Sequence, residues 1–246
     1  MKILVCINQV PDTTSKINLS GDKFDPSGVQ FILNPSDESA LNRALEMKET
    51  TGGSVTLIHV GKADAEPVIR KAFALGADRM IRIDAEPSDG FSVAKHLAQA
   101  LKNESFELIF CGKESLDYNG GMVGGMLATL LNINFIDDVT KISVEGNSAL
   151  VERETDGGFS ELSAPLPLLV AVQKELVEES KLKIPNMRGI MNARKAPIEV
   201  IQQEPISTEV QIVTMEKPAP KPPVKMIDPE NLDELITELH QVKKVI

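Results

Sequence analysis

The residues best suited to binding a ligand lie in the stretch 106–128, FELIFCGKESLDYNGGMVGGMLA. Its apolar start has the length of a buried strand, and two glycine pairs, Gly120-Gly121 and Gly124-Gly125, precede a second apolar segment. A strand, a glycine-bearing loop and a helix start present backbone N–H groups and a positive helix end to an anion. The pattern is neither a P-loop nor GxGxxG, so a plain strand-to-helix connection explains it equally well.

Few other side chains form a pattern with a chemical role. The carboxylates of Asp37, Glu114 and Asp117 could face the ribose or amino group of a nucleotide, or could be helix caps and solvated loop charges. Cys6 and Cys111 lie in apolar runs, which is more typical of inert core thiols than of nucleophiles. With no CxxC motif and three histidines, a metal site is not expected. The residues therefore predict nucleotide binding without catalytic chemistry.

The elements that must position these residues alternate between strand and helix. Strands are predicted at 2–7, 54–60, 79–84 and 108–111, and helices after Asn34-Pro35-Ser36-Asp37, at 64–75, at 91–101 and from Gly124 to Leu131. This order predicts an α/β fold with a doubly wound, Rossmann-like parallel sheet and right-handed crossovers. Ligands of such sheets collect at the carboxyl edge of the strands.

Beyond residue 133 the pattern changes. The segments around Gly146-Asn147 predict an antiparallel hairpin, 165–173 predicts a further strand, and 174–197 reads as irregular. A proline- and lysine-rich arm then leads to an amphipathic helix starting at Asp228-Pro229. We expect a nucleotide-binding domain at 1–206 and a docking arm with its helix at 207–246. This helix either docks on a partner or folds back locally, and the long arm favours a partner.

Composition narrows the classes of protein. Of the 246 residues, 42% are hydrophobic and 25% are charged, as in ordinary globular proteins. The net charge of -10 argues against nucleic acid as a partner, since nucleic-acid binding needs clustered Lys and Arg. No apolar run is long enough to span a membrane, and Met1 leads directly into a strand. We expect a cytoplasmic protein without membrane insertion.

Six segments together resemble the beta subunit of electron transfer flavoprotein. They are KILVCINQVPDTT at the start, ILNPSD (32–37), KAFALGADRMIRID (71–84), LIFCGKESLD (108–117), VERETDGG (151–158) and IPNMRGIMNARKAPIEVI (184–201). The resemblance covers essentially the whole chain, and the combination of ALGADR, CGKESLD and NARKAPIEV is specific. The chain departs from the family pattern at Ser160 and in the loop 118–122.

The resemblance implies a fold like that of the adenine nucleotide alpha hydrolases and a heterodimer with an alpha subunit that holds most of the FAD. The family's beta subunit binds an adenine nucleotide, normally AMP, at the carboxyl edge of its sheet. Electrons arrive from dehydrogenases, such as the acyl-CoA dehydrogenases of fatty acid beta-oxidation, and leave to a membrane quinone oxidoreductase. The chain is then an electron-carrier subunit without catalytic residues of its own.

The resemblance also implies which residues make contacts. Carried over residue by residue, the nucleotide contacts are Cys6, Asn34, Pro35, Ser36, Asp37, Val60, Gly112, Lys113, Glu114, Ser115, Leu116, Asp117, Tyr118, Asn119, Gly120, Gly121, Met122 and Val123. We expect the amides of 119–123 to hold the phosphate. The partner-recognition loop corresponds to 172–194, with Ile184 in the place of its anchoring leucine. The alternative is that Ile184 folds into its own hairpin.

Two other functions remain open. The first is an electron-bifurcating beta subunit, in which a second FAD replaces AMP. The second is a free-standing nucleotide sensor that resembles the universal stress proteins. The carboxyl-terminal arm and helix argue against a sensor, because a protein that acts alone has no need of a tethered docking element.

Overall fold

The computed structural model describes residues 1–208, 210 and 212–246. Its strands are β1 Lys2–Cys6, β2 Gln9–Pro11, β3 Asn18–Ser20, β4 Lys23–Asp25, β5 Phe31–Leu33, β6 Ser54–Val60, β7 Arg79–Asp84, β8 Leu108–Gly112, β9 Asn134–Glu145, β10 Ser148–Thr155, β11 Gly158–Pro165, β12 Leu168–Val172 and β13 Glu199–Gln202. Its α-helices are α1 Pro35–Thr51, α2 Glu66–Phe73, α3 Gly90–Leu101, α4 Val123–Leu131, α5 Met187–Lys195 and α6 Leu232–Thr237. Short 3-10 segments cover Ala63–Ala65, Lys174–Leu176 and Glu179–Lys181, and a π-helical segment covers Glu238–Val242.

One sheet organises the larger part of the chain. Its strand order is β11-β10-β9-β12-β8-β1-β6-β7-β13, and the run from β9 to β13 is parallel throughout. The strands β10 and β11 extend this sheet as an antiparallel meander beside β9. Two small antiparallel pairs, β2 with β5 and β3 with β4, stand apart from the main sheet. The predicted mostly parallel α/β sheet is confirmed.

The sheet is covered on both faces, because successive side chains of each strand point to opposite sides. In β1, Ile3 and Val5 belong to a core that includes side chains of α1 and α2. The alternate residues Leu4 and Cys6 belong to a second core that includes side chains of α3 and α4. Burial on both faces explains why the central strands read as continuous apolar runs. The prediction of a doubly wound sheet is therefore confirmed.

Local sequence signals explain where the main helices begin. Pro35 occupies the first turn of α1, where its missing N–H is no loss and its φ already suits a helix. The helix α3 begins with a capping box: the Asp89 side chain accepts a hydrogen bond from the Ser92 N–H, and the Ser92 hydroxyl accepts one from the Asp89 N–H. These two helices lie within about two residues of where the sequence predicts them.

Three elements differ from the sequence expectation. The segment 174–197, predicted as irregular, contains α5, and β13 follows it and pairs in parallel with β7. The predicted hairpin is a three-stranded meander, since a second turn separates β10 from β11. Only Ala193 of α5 is buried, and β13 has four residues at the sheet edge, so neither carries a strong periodic signal.

The chain forms two compact units. The larger comprises residues 1–18 and 25–213, and the smaller comprises residues 19–24 and 214–246. In the smaller unit, residues 214–231 form no helix or strand. The helix predicted to start at Asp228-Pro229 starts instead at Leu232, because Asn231 caps it by accepting the Glu234 N–H, and the π-helical segment follows it. The predicted domain boundary after residue 206 stays a prediction, since contacts alone do not show independent folding. Among the described residues, no helix is long and apolar enough to cross a membrane.

Candidate functional site

The winding of the sheet changes direction between β1 and β8. We call the space between the loops that follow these two strands the crevice. From β1 the chain moves to β6 and β7 on one side, and it then returns to β8 on the other side of β1. Loops that leave the carboxyl ends of β1 and β8 therefore diverge, and ligands of open α/β sheets bind at this switch point. Cys6, Val60 and Gly112 end the three neighbouring strands at this edge. The structure brings these predicted site residues together.

Asp37, in the first turn of α1, joins the two strand ends. Its Oδ2 accepts the N–H of Asn8 at 2.8 Å, and its Oδ1 accepts the N–H of Gly112 at 2.8 Å. Burial raises the pKa of this carboxyl to about 7, the N–H donors and Asn34 oppose that rise, and Asp117 adds to it. One buried carboxyl thus connects α1, β1 and β8 at the base of the crevice.

Gly112 is required by the closeness of α1 to the end of β8. A Cβ atom at this position would lie 2.5 Å from Oδ1 of Asp37 and 2.8 Å from the Cβ of Ser36. Contacts this short force the strand and the helix apart, so only glycine permits the Gly112–Asp37 hydrogen bond. The glycine serves close packing at this site, as glycines in nucleotide-binding turns do.

Asn34, at the amino end of α1, ties the helix to the loop that follows β8. Its Nδ2 donates to the Glu114 carbonyl at 2.8 Å, and its Oδ1 accepts the N–H of Leu116 at 3.4 Å. Its own N–H donates to the Asn8 carbonyl at 3.0 Å. The side chain forms no hydrogen bond that caps α1. Asn34 therefore occupies the cap position of α1 without a side-chain cap, and its side chain instead orders the crevice loop.

Asn8 is a residue of this crevice that the sequence reasoning missed. Its Nδ2 donates to Ser115 Oγ at 2.8 Å and to Asp117 Oδ2 at 3.1 Å, while its backbone bonds to Asn34 and Asp37. It follows the predicted strand 2–7 at the carboxyl edge of the sheet, but no spacing rule singles it out. A polar side chain directly after a central buried strand is the signal that could have found it.

The loop 113–122 forms the outer wall of the crevice. A bridge between Ser115 and Gly120 closes it, and Asn119 adopts a left-handed conformation with φ of 50° at its tip. The side chains of Tyr118 and Met122 are 70% and 55% exposed, so they project to solvent rather than into the protein. That the amides of 119–123 hold a phosphate stays a prediction.

The charges around the crevice are mainly negative. Asp37, Glu114 and Asp117 lie on or beside it, and the carboxylate of Asp117 accepts hydrogen bonds from Asn8 and Ser115. Lys113 pairs with Asp138, and this hydrogen bond raises the pKa of Lys113. A phosphate would therefore depend on backbone N–H groups. The helix α4 starts at Val123 without a side-chain cap, which leaves its first amides available.

The reactive side chains near the crevice are held in unreactive forms. Burial raises the pKa of the Cys6 and Cys111 thiols well above the ordinary value, which disfavours the nucleophilic thiolate. His59 is buried, which lowers its pKa, and its Nδ1 bonds to the Ile7 carbonyl at 2.9 Å. Among the described residues there is no cluster of three or more His, Cys, Asp or Glu that could hold a metal ion.

Ile184 belongs to a different surface. The segment before it runs along α1, where the Val177 N–H donates to Ser39 Oγ at 2.9 Å and the Lys183 N–H donates to Asn42 Oδ1 at 2.7 Å. Its own side chain is 88% exposed. The structure thus separates the nucleotide-site residues, which converge on one crevice, from the predicted partner anchor.

Comparison with known proteins gives a consistent result. The profile of the electron transfer flavoprotein domain matches residues 23–206. The electron transfer flavoprotein subunit beta of Bacillus subtilis is 32% identical over an alignment of 260 positions, gaps included, which covers 100% of both chains. The subunit beta proteins of Mycobacterium leprae and Bradyrhizobium diazoefficiens are 35% and 36% identical, over 86% and 80% of this chain and 82% and 80% of their own lengths.

Proposed function

The chain belongs to the electron transfer flavoprotein family, and from this membership we propose that it is the beta subunit of a heterodimeric electron transfer flavoprotein. The observation that carries the proposal is the similarity to the B. subtilis beta subunit over the whole of both chains. The crevice at the switch point of the sheet supports a nucleotide-binding role for this chain. We propose a cytoplasmic location on the sequence alone.

AMP is the proposed ligand of the crevice. The uncapped start of α4 supplies backbone N–H groups suited to a phosphate. Asp117, on the solvent side, supplies a carboxylate that can accept hydrogen bonds from the ribose hydroxyls. Cys6, Val60 and Gly112 offer backbone at the strand ends, where the adenine and ribose would lie. The groups present fit an adenine nucleotide whose phosphate is bound by backbone rather than by Lys or Arg.

FAD, held mainly by the alpha subunit, supplies the electron-transfer chemistry when it is bound. The proposed contribution of this chain is to hold AMP as a structural ligand and to complete the surface on which the alpha subunit and the flavin are held. No side chain of the crevice needs to move a proton for this role. The chain is therefore proposed to be an electron-carrier subunit rather than an enzyme.

The carboxyl-terminal segment 207–246 is proposed to bind the alpha subunit. Within the smaller unit, Leu232, Leu235 and Ile236 of α6 are between 40% and 62% exposed. Exposed aliphatic side chains concentrated on one short helix are typical of a surface that another protein covers. The arm before the helix holds Lys225 in ion pairs with Glu234 and Glu238, so the segment has local order of its own.

The 172–194 region is proposed to contact the electron donors, with Ile184 as the anchor. The proposed donors are acyl-CoA dehydrogenases or other dehydrogenases, and the proposed acceptor is the membrane quinone oxidoreductase. An aliphatic side chain as exposed as Ile184 is suited to fill a pocket on a partner.

The test is to co-express the chain with the alpha subunit and to extract the bound nucleotides with acid. One AMP and one FAD per heterodimer are expected, together with a flavin absorbance spectrum. Two FAD and no AMP would assign the crevice to a second flavin and the protein to electron bifurcation. A chain that stays alone, binds nucleotide and carries no flavin would instead be a sensor, and the proposed function would be wrong.

A further inference from the structure

Asp117 is an exposed carboxylate whose position is nevertheless fixed. Its Oδ1 accepts hydrogen bonds from the Ser115 hydroxyl and, at 2.9 Å, from the Tyr118 N–H, and its Oδ2 accepts one from Nδ2 of Asn8 at 3.1 Å. An exposed loop carboxylate ordinarily rotates freely in water, because ordering a side chain costs conformational entropy. Several donors on one exposed carboxylate therefore indicate a group that is held in place to accept a further hydrogen bond.

Asn8 is the donor that reaches Asp117 from a distant part of the chain. Its Nδ2 donates to Ser115 Oγ at 2.8 Å as well as to Asp117, across 107 and 109 positions of sequence. Its backbone makes a separate set of contacts, since its N–H donates to Oδ2 of Asp37 at 2.8 Å and its carbonyl accepts the Asn34 N–H at 3.0 Å. The backbone of Asn8 thus holds the base of the crevice, and its side chain holds Asp117.

The side chain that holds Asp117 is neutral. An amide NH₂ group orients a carboxylate without cancelling its charge, whereas Lys or Arg in the same place would form an ion pair with it. The one cation in the sequence of the loop 113–122, Lys113, pairs with Asp138 instead. Asp117 therefore keeps its negative charge, and a charged acceptor forms a stronger hydrogen bond with a hydroxyl group than a neutral acceptor does.

A fixed negative charge at this position distinguishes the parts of a nucleotide. It repels the phosphate, for which the N–H groups at the start of α4 are better suited, and it attracts the hydroxyl groups of the sugar. Ribose has hydroxyl groups on C2′ and C3′, and a deoxyribose lacks one of them. A site built to bond a hydroxyl group rejects the analogue without it, because its own polar group is then left unpaired.

We propose that Asn8 is a positioning residue of the nucleotide site, whose side chain fixes Asp117 so that this carboxylate accepts hydrogen bonds from the ribose and makes the crevice selective for ribonucleotides over deoxyribonucleotides. This inference rests on the proposed function and adds to it a residue and the part of the ligand that the residue helps to recognise. Because Asn8 acts through Asp117, its loss should lower selectivity as well as affinity.

The competing explanation is that the Asn8 side chain only keeps the loop 113–122 close to the end of β1. A structural role of this kind would be the same for every nucleotide in the crevice. Loss of the side chain would then weaken AMP and its deoxy analogues by the same factor. The ratio of their affinities therefore separates the two explanations, whereas the affinity for AMP alone does not.

The experiment uses the complete heterodimer, freed of bound nucleotide by dialysis against charcoal. It is titrated in a calorimeter with AMP, 2′-deoxy-AMP and 3′-deoxy-AMP. The unmodified protein should bind AMP about tenfold more tightly than the weaker of the two analogues, since a hydrogen bond to a charged group is worth about that factor. This first measurement needs no variant.

Asn8→Ala removes the side chain and keeps both backbone hydrogen bonds of this residue. It should lower the affinity for AMP about tenfold and remove most of the preference for AMP over the weaker analogue. Asn8→Asp should lower the affinity for AMP further, because it places a second negative charge against Asp117. The matched control is Gln9→Ala, which truncates the neighbouring amide, bonded to Asp64 at 3.4 Å, and should leave all three affinities unchanged.

Asp117→Ala, alone and combined with Asn8→Ala, completes a double-mutant cycle. If Asn8 acts through Asp117, the combined variant should show the same ratio of affinities as Asp117→Ala alone, so the two effects should not add. The flavin spectrum and the urea midpoint of each heterodimer, which should stay close to those of the unmodified protein, show that the variants are folded.

The outcomes separate the inference from the proposed function. If the unmodified heterodimer binds AMP and both deoxy analogues equally well, or if Asn8→Ala weakens all three by one factor, the inference is wrong and the proposed AMP site stands. If the heterodimer contains no AMP and binds none of the three nucleotides, the proposed AMP site is wrong, and the inference is wrong with it. A preference for AMP that Asn8→Ala removes and Gln9→Ala keeps would support both.

Discussion

The crevice and the carboxyl-terminal segment 214–246 differ in where their side chains find partners. In the crevice, the hydrogen bonds of Asn8, Asn34 and Asp37 join residues that are 29 to 109 positions apart in the chain. In 214–246 the ion pairs of Lys225 with Glu234 and Glu238 join residues only 9 and 13 positions apart. The crevice is therefore held together by hydrogen bonds between distant parts of the chain, whereas the segment 214–246 leaves apolar side chains such as Leu232 and Ile236 exposed.

This difference separates contacts that stabilise the chain itself from contacts that are expected to stabilise a complex. Core contacts under the crevice stabilise the fold of the chain itself, and their loss should appear in the free energy of unfolding. Contacts of α6 are expected to stabilise a complex, so their loss should appear in binding. Four predictions test this contrast. The substitutions and the truncation follow in order of the expected change in the free energy of unfolding, and the pH dependence of Asp37 stands beside its substitution.

The largest change is expected from Leu108→Ala in β8, the strand that leads to the crevice loop. This side chain is fully buried, so its truncation leaves a cavity and should cost about 2–5 kcal/mol. Leu235→Ala in α6 removes the same atoms from a side chain that is 40% exposed and should cost no more than about 0.5 kcal/mol. Urea unfolding of the isolated chain, followed by circular dichroism, measures both. Equal costs would show that α6 packs into a core of its own chain.

The next largest change is expected from Asp37→Asn. An amide can replace only one of the two acceptor oxygens, so either the Asn8 or the Gly112 N–H faces an NH₂ group and stays buried without a partner. The expected cost is about 2 kcal/mol, the usual penalty for such a donor. Asp117→Asn changes an exposed carboxylate of the same crevice and should cost much less. If both variants unfolded at the same urea concentration, the buried Asp37 would matter no more for stability than the exposed Asp117, and the prediction would be wrong.

The same residue should also make the free energy of unfolding depend on pH. Burial raises the pKa of Asp37 from 3.8 to about 7, so between these values the folded chain binds a proton that the unfolded chain has released. The contribution of this group to the free energy of unfolding is therefore full below about pH 4 and lost as the pH rises to 7. Asp37→Asn should flatten that part of the pH profile. A profile that is unchanged by the substitution would contradict a raised pKa.

The smallest change in the free energy of unfolding is expected from truncation after Val213, the last residue of the larger unit. The deleted segment lies outside the larger unit, so the remaining chain should unfold at nearly the same urea concentration. The heterodimer with the alpha subunit should in contrast bind more weakly and release FAD more readily, as gel filtration and flavin fluorescence can measure. A truncated chain that unfolds, but forms any heterodimer as tightly as before, would place α6 in its own domain.

Much of the fold could be predicted because it depends on local patterns. The continuous apolar runs of β1, β6, β7 and β8 indicate strands covered on both faces, and the structure has them within one residue of their predicted bounds. The position of the predicted site follows from the same patterns, since the carboxyl ends of parallel strands share one edge of the sheet. Local patterns could not predict the role of Asn8 or the presence of α5 and β13, because these depend on contacts with residues distant in the chain.

The sequence by itself determined the alternation of strands and helices, the doubly wound sheet and the edge at which the predicted site residues meet. Hydrophobic period and glycine positions encode these features within about 20 residues of chain. Only the tertiary structure decided that Asn34 serves the crevice loop, that Asp37 is shared by two strand ends, and that α5 rests on Arg70 and Gly189. The physical reason is that a hydrogen bond or a close backbone contact between distant residues leaves no periodic trace in either segment.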